Sequence, residues 1–445
     1  MMMYERVTAA LGERPAAIGH TEMRQRQIDF CSELPTDCVA IIANNPTAIR
    51  SRDTHHRHRF NSYLHYLTGW HGEEGVAAFY FDGDDWKCRL FVQPRDVEKE
   101  TWTGRRPGLE GALANWPVDQ SVDRENIVTD LTQMIESATE IFHIQNLDEI
   151  VDDVVNTSAK DIRDPRKILD NMRVIKSDAE IALMQYAADL AALAHVEAMR
   201  ECGQDMGEWH LQSIIEGCFL YHQSEWAYPS IVGSGDNATI LHYNENSDPL
   251  HDGDVVLIDA GCEIDGYASD ITRSFPVNGK FTDPQKEIYE LVLSAQIAGI
   301  EACQAGSPWS AMHHATSHVL AQGLIDLGIL DCSYEEALGD NYNGLYRNFF
   351  MHGTGHFLGL DVHDVGGGRQ GDGEPERILT PGMVVTIEPG LYFGAWREDI
   401  EIDPKWAGIG IRIEDDVLIA EKGPVILTAK CPKEITEIEA LVGSK

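Results

Sequence analysis

Residues 255–277 read VVLIDAGCEIDGYASDITRSFPV. Asp259 ends a run of four apolar residues, Val255, Val256, Leu257 and Ile258, and such a run reads as a buried strand. A carboxylate there is costly unless a partner or a proton neutralises it. Asp265-Gly266 is a strong signal for a two-residue hairpin turn. With those residues as the loop, Ile264 pairs with Tyr267, Asp259 faces Thr272, and Asp270 lies two places from Thr272. Side chains alternate with period two, so Asp259 and Asp270 share a face as diagonal neighbours. Two carboxylates in an apolar hairpin repel, and the common solutions are a shared proton or a cation. The hairpin alone leaves a blander alternative open, with one acid buried and the other solvated.

Other stretches repeat the pattern. In MVVTIEPG, residues 383–390, an apolar strand ends in Glu388 and Pro389-Gly390 breaks it. In GIRIEDD, residues 410–416, Ile411 and Ile413 share one face and Arg412 and Glu414 the other. MHGTGH, residues 351–356, spaces His352 and His356 by four. Two glycines between them, and no Glu after the first, argue for a loop or strand rather than a helical zinc motif. His363-Asp364 follows shortly after. Singly, each histidine is more commonly structural than a ligand. Together, Asp259, Asp270, His356, Glu388 and Glu414 form an oxygen-rich set with one imidazole. Such a set suits divalent cations, manganese first, with cobalt or zinc as alternatives. Four negative charges balance two such ions, and ions ~3.5–4 Å apart activate water and polarise a carbonyl together.

Length and charge bound the rest. A chain of 445 residues predicts two or three domains. The 35 Lys and Arg against 73 Asp and Glu give a net charge of −38. Such a surface repels nucleic acid and anionic membranes. The acids are spread along the whole chain, which reads as solubility rather than as a functional patch. The nine cysteines are scattered singly, without a CxxC, arguing against a disulfide framework or a cysteine zinc knuckle. The N-terminal stretch lacks a long apolar core, so no secretory signal is expected. No segment reaches the ~18 apolar residues of a membrane span. The expected location is the cytoplasm.

Residues 1–174 read as an α/β domain, with strands at 39–42 and 76–81, a turn at 81–85 and a linker at 163–166. A second domain, 175–445, opens with the capping box Ser177-x-x-Glu180. Ile181, Met184, Ala188 and Ala191 then recur at helical spacing. Asp283 reads as an N-cap with Pro284 at the first helical position. A further helix is predicted over 309–327, closed by Gly328. Strands are predicted at 255–258, 271–275, 383–387 and 409–413. DTHHRHR, residues 53–59, holds three histidines but also two arginines in a polar run, and reads as a solvated or interface loop. Gly233-Ser234-Gly235 lacks the helix and lysine of a phosphate loop and reads as a tight turn. Cys262 reads as packing.

In family order, the chain carries IVGSG (231–235), LHY (241–243), LIDAGCEIDGYASDITRSFPVNGKF (257–281), MHGTGHFLGLDVHDVG (351–366), TIEPGLY (386–392) and GIGIRIEDDV (408–417). With these words the chain resembles the pita-bread-fold metallopeptidases of the creatinase, prolidase and methionine aminopeptidase superfamily. Within that superfamily it is most similar to the Xaa-Pro aminopeptidases (aminopeptidase P). YLTG (66–69) and WTGRR (102–106) extend the likeness more weakly into the first domain. The resemblance implies an α/β N-terminal domain before an α+β pita-bread catalytic domain. It implies two divalent metal ions on Asp259, Asp270, His356, Glu388 and Glu414, with Asp270 and Glu414 bridging. It implies active-site roles for His242, His352, His363 and Arg412, and a place near the site for Tyr392. Glu388 doubles as proton shuttle, His352 or His363 stabilises the oxyanion, and His242 and Tyr392 meet the substrate. The implied reaction releases the N-terminal residue from peptides with proline second. The alternatives are a prolidase confined to Xaa-Pro dipeptides and a metal-dependent hydrolase or lyase of the same fold. A homodimer or homotetramer is implied. Residues 366–376 depart from the family by being glycine-rich and acidic, and Arg369 or Arg377 stands in for an arginine expected before Glu388.

Overall fold

The computed structural model describes residues 2–369 and 373–444; residues 370–372 of the glycine-rich stretch lie outside the described residues. The chain forms two compact units. One is Ile18–Met172. The other joins the residues up to Ala17 with those from Arg173 onward. The first 17 residues, expected with the first domain, therefore cluster with the second. Their helix, Met2–Leu11, buries Val7 and Leu11, and the Arg6 Nε donates to Glu197 at 3.0 Å.

The smaller unit holds a six-stranded sheet in the order Gln120–Asp123, Trp86–Val92, Val76–Phe81, Cys38–Ala43, Glu140–His143 and Asp161–Arg163. Cys38–Ala43 lies antiparallel to Val76–Phe81 and parallel to Glu140–His143. It is buried along its whole length, which is why its sequence is continuously apolar rather than alternating. Helices Ile127–Ser137 and Glu149–Thr157 bury Leu131, Ile135, Val151 and Val155 against Val39 and Ile41. The segment expected as a linker is a tight connection. Arg163 ends a strand, and Asp164 accepts the Arg166 N–H at 2.9 Å where the helix Arg166–Val174 begins. Within 53–59, Thr54–His55 forms a small exposed hairpin with Ile49–Ser51.

The larger unit is built from antiparallel strands. Val255–Asp259 lies between Ile231–Ser234 and Thr272–Pro276. Val384–Ile387 pairs with Asp415–Ala420, and Gly390–Phe393 with Ile409–Arg412. Helices Asp178–Glu201 and Glu208–Tyr221 pack together, as do Asp283–Ala302 and Ser310–Asp326. Among the described residues no helix is long and apolar enough to cross a membrane.

The opening stretch folds in the register its turn dictates. Asp265 and Gly266 both take left-handed backbone angles, φ 49° and 86°, as a two-residue hairpin turn of this hand requires. Ile264 pairs with Tyr267 and Asp259 with Thr272. Midway, the Cys262–Ile264 strand leaves to pair with Glu225–Trp226. Gly261 makes the crossing possible, because a Cβ there would meet the Ser269 carbonyl oxygen at 1.7 Å.

The capping box at Ser177 forms: the Ser177 N–H donates to Glu180 at 2.8 Å and the Glu180 N–H to the Ser177 hydroxyl at 3.3 Å. The second carboxylate oxygen of Glu180 accepts from the hairpin's Tyr267 hydroxyl at 2.8 Å. The next cap differs from expectation. Thr282, not Asp283, is the N-cap, and Pro284 stands at the second helical position. Thr282 wins because it forms a reciprocal box with Gln285, whose side chain accepts the Thr282 N–H at 2.9 Å. Helix Ser310–Asp326 ends just before Gly328, which has φ 70°.

Candidate metal centre and active site

The ends of four strands deliver acids to one place. Asp259 ends the strand Val255–Asp259, Asp270 precedes Thr272–Pro276, and Glu388 and Glu414 follow Val384–Ile387 and Ile409–Arg412. At a strand end an acid leaves the apolar layer while its neighbours stay inside. Asp270, His356 and Glu414 have ligand atoms all within 4.8 Å of one another. The His356 Nε2 stands 3.4 Å from Asp270 and 3.8 Å from Glu388. Asp259 joins through Tyr228, whose hydroxyl lies 2.6 Å from Asp259 and also contacts Asp270. All five residues line one cavity of about 460 Å³.

The electrostatics are those of a crowded set of acids. Burial pushes Glu414 well above the usual carboxylate range, and Asp270, Glu388 and Asp259 add to the push. Burial also lifts Glu388, to about 7, although His356 and Arg412 pull it down. Asp259 is raised by burial against the pull of Arg412. Burial disfavours charge on His356, but hydrogen bonding to Asp270 and the charges of Asp270 and Glu388 overcome it and raise the imidazole to about 9. Arg412 meets this cluster at Asp259, at 2.7 Å. One guanidinium and one imidazole leave four buried carboxylates short of positive charge. The donor set therefore fits divalent cations, with Asp259, Asp270, His356, Glu388 and Glu414 as the residues to hold them.

Three histidines surround the acids. His242 and His363 are exposed on the cavity and His352 is half-buried. The His363 ring packs edge-on against His356 at 4.3 Å between centroids. The His352 Nδ1 lies 2.8 Å from the Gly353 carbonyl and its Nε2 2.8 Å from the Tyr392 hydroxyl. A ring in that setting donates from Nδ1 and accepts at Nε2. Burial, reinforced by Arg412, pushes His352 down to about 3, so it is neutral. Tyr392 is only 1% exposed. It was expected at the substrate, but it sits behind His352 and Arg412, accepting from the Arg412 guanidinium at 2.9 Å. Strand pairing accounts for this, since Tyr392 lies opposite Gly410 in the sheet rather than at its end.

Sequence reasoning assigned no role to other residues of the site. Thr272 donates to Glu414 at 2.7 Å and accepts from the Arg412 Nε at 2.9 Å. Tyr228 lies in an irregular segment before Ile231–Ser234. Asp416 accepts the Asp270 N–H at 3.1 Å, and here a signal existed. The alternation that puts Arg412 and Glu414 on one face extends to Asp416. Arg377 is buried and donates to the carbonyls of Gly366 and Gly367 at 3.0 and 3.1 Å, so it fastens the glycine-rich stretch from within. Arg369 donates to the Glu374 carbonyl at 3.0 Å.

An acid-lined cavity at the ends of strands fits a metal-dependent enzyme, and comparison with known proteins supplies the family. Residues 182–421 match the model of metallopeptidase family M24, and residues 23–143 that of the aminopeptidase P N-terminal domain. The chain belongs to metallopeptidase family M24, in the branch that carries the aminopeptidase P N-terminal domain. It is 40% identical to a Xaa-Pro aminopeptidase of Haemophilus influenzae, over 96% of this chain and 98% of the relative. It is 38% identical to the Xaa-Pro aminopeptidase of Escherichia coli, covering 96% and 98%. Among solved structures it resembles Pseudomonas aeruginosa aminopeptidase PepP with a TM-score of 0.90, at 38% identity, covering 96% of this chain and 98% of that one.

Proposed function

We infer that this chain is a Xaa-Pro aminopeptidase that holds two divalent metal ions and releases the N-terminal residue from peptides with proline second. The observation that carries the reading is the buried cluster of acids around one imidazole, in a chain similar over its whole length to Xaa-Pro aminopeptidases. Manganese is the metal we favour, with cobalt or zinc as alternatives. Held by these residues, the ions would supply Lewis acidity and a water made nucleophilic at neutral pH. Catalysis is assigned to the unit that carries the acid cluster, and the N-terminal domain to Ile18–Met172.

The residues divide the remaining work. Glu388 lines the cavity beside His356, placed to take a proton from the attacking water and return it to the leaving proline nitrogen. That nitrogen carries no hydrogen in the substrate, so a site that grips a backbone N–H gains nothing there. His363 is exposed toward the substrate and has a free edge for the developing oxyanion. His352 has both nitrogens engaged, and with Tyr392 and Arg412 it forms a chain that ends on Asp259 and orients it. His242 meets the proline side of the substrate. The nine free cysteines favour a reducing compartment, the cytoplasm. The assembly proposed is a homodimer or homotetramer.

The test is release of the N-terminal residue from Xaa-Pro-Xaa, beside an Xaa-Pro dipeptide and an Xaa-Ala-Xaa control, after chelation and re-addition of manganese, cobalt or zinc. Metal-restored cleavage of the longer proline peptide, lost in Asp270→Ala, supports the reading. Cleavage of the dipeptide alone replaces it with prolidase. A folded, metal-loaded protein that cleaves none of them overturns it.

A further inference from the structure

Among the described residues His363 has no hydrogen-bond partner, yet the reading above asks it to meet a substrate atom accurately. What holds it is next to it in sequence. Asp364 turns inward and is 1% exposed. It accepts from the Lys176 Nζ at 2.9 Å and from the Arg173 guanidinium at 2.6 Å. Lys176 and Arg173 are themselves 1% and 2% exposed. The same Arg173 nitrogen reaches Asp361 at 2.7 Å, on the other side of His363. Buried ion pairs with little area to spare are expensive, and breaking one leaves an uncompensated charge. Simple stability is better served by apolar residues here, so the cost suggests that the pairs fix a geometry.

The backbone follows the same plan. The Asp364 N–H donates to the Phe357 carbonyl at 2.8 Å and the Gly359 N–H to the Asp361 carbonyl at 3.1 Å. The Gly359 carbonyl accepts from Ala268 in the metal hairpin at 2.8 Å. Gly359 leaves room for the clamp, because a Cβ there would meet Asp364 at 2.3 Å and Lys176 at 3.0 Å. The loop that bears His363 is thus pinned on one side to the hairpin of Asp259 and Asp270, and on the other to the start of the catalytic unit.

We propose that Asp364, clamped by Arg173 and Lys176, is a positioning residue that sets the His363 imidazole over the reacting carbonyl; the inference rests on the catalytic reading of His363. A misplacement of about 1 Å in such a group costs on the order of a hundredfold in rate.

The experiment is a double-mutant cycle on the manganese-loaded full chain with an Xaa-Pro-Xaa peptide. Asp364→Asn should lower kcat far more than it changes KM, with metal content unchanged. In a His363→Ala background the same substitution should cost nothing further, because the group it positions is gone. Lys176→Arg, which keeps the charge, should retain most turnover, and Lys176→Met should behave as Asp364→Asn does. Should Asp364→Asn fail to fold, Lys176→Met, which leaves the Arg173 pair in place, completes the same cycle. Equal losses in both backgrounds, or full activity in Asp364→Asn, overturn the clamp alone. Undiminished turnover in His363→Ala overturns the catalytic reading and the clamp with it.

Discussion

Burial and the neighbouring charges of Asp270 and Asp259 raise both Glu388 and Glu414, and a metal must displace protons from them to bind. An acid whose value is raised to about 7 is protonated below that pH and ionised above it. Metal affinity should therefore climb steeply as pH rises from about 5 to 8, with protons released on binding. Calorimetric metal titrations in buffers of different ionisation enthalpy measure the release directly, and a buffer-independent enthalpy would refute it. Tyr392→Phe removes the hydroxyl between Arg412 and His352. It should destabilise by about 1–3 kcal/mol through unpaired buried donors while leaving KM nearly unchanged, since the buried ring is not part of the cavity lining. Gly261→Ala should be far worse. Its Cβ cannot share space with the Ser269 carbonyl, so a thermal melt should show several kcal/mol lost, as in other overpacked cores.

Among the elements, the metal hairpin was legible almost to the atom. A turn dipeptide that fixes register, together with strict alternation, determines which residues face each other. Asp259 opposite Thr272 and the two acids sharing a face follow from that arithmetic. Tyr228 was not legible, because irregular backbone carries no period from which to project a side chain. Tyr392 was read at the site but not behind it, since alternation gives a face but not a depth. Asp364 and its buried cations were equally hidden: their partners lie nearly 190 residues away in the chain, and charged residues usually read as surface. Thr282 was passed over because Asp-Pro is the louder cap signal, whereas the reciprocal Gln285 decides. Capping offers its own test. Ser177→Ala removes one partner of the box and should cost about 1 kcal/mol, seen as faster amide exchange in the first turn of helix Asp178–Glu201.

At the scale of the whole molecule, charge dominates. A net charge of −38 opposes compaction through self-repulsion, and salt screens it. The melting temperature should rise with sodium chloride from low to physiological ionic strength, and a flat response would count against this account. Acid should act in the opposite sense at particular buried pairs. Asp364 is disfavoured as an anion by burial, yet Lys176 and Arg173 hold it below its ordinary value. Its folded value lies under the unfolded value of about 3.9, so its contribution is complete above that pH and is lost as pH falls through the folded value. Lys176→Met should flatten this acid limb of the stability curve. Metal removal should lower the transition of the unit that contains Asp270 and leave that of Ile18–Met172 in place, a difference that calorimetry with and without chelator resolves.

Glu180 spends one oxygen on its own helix and the other on Tyr267 of the hairpin. The two elements therefore proofread one another. If the hairpin slipped by a single residue, Tyr267 would swing to the opposite face, and the carboxylate would lose its distant client. An error in the strand that aligns the catalytic acids would then be broadcast as fraying at a helix nearly 90 residues earlier in the chain. Registration of the metal hairpin and closure of that helix thus share one carboxylate, and each favours the other.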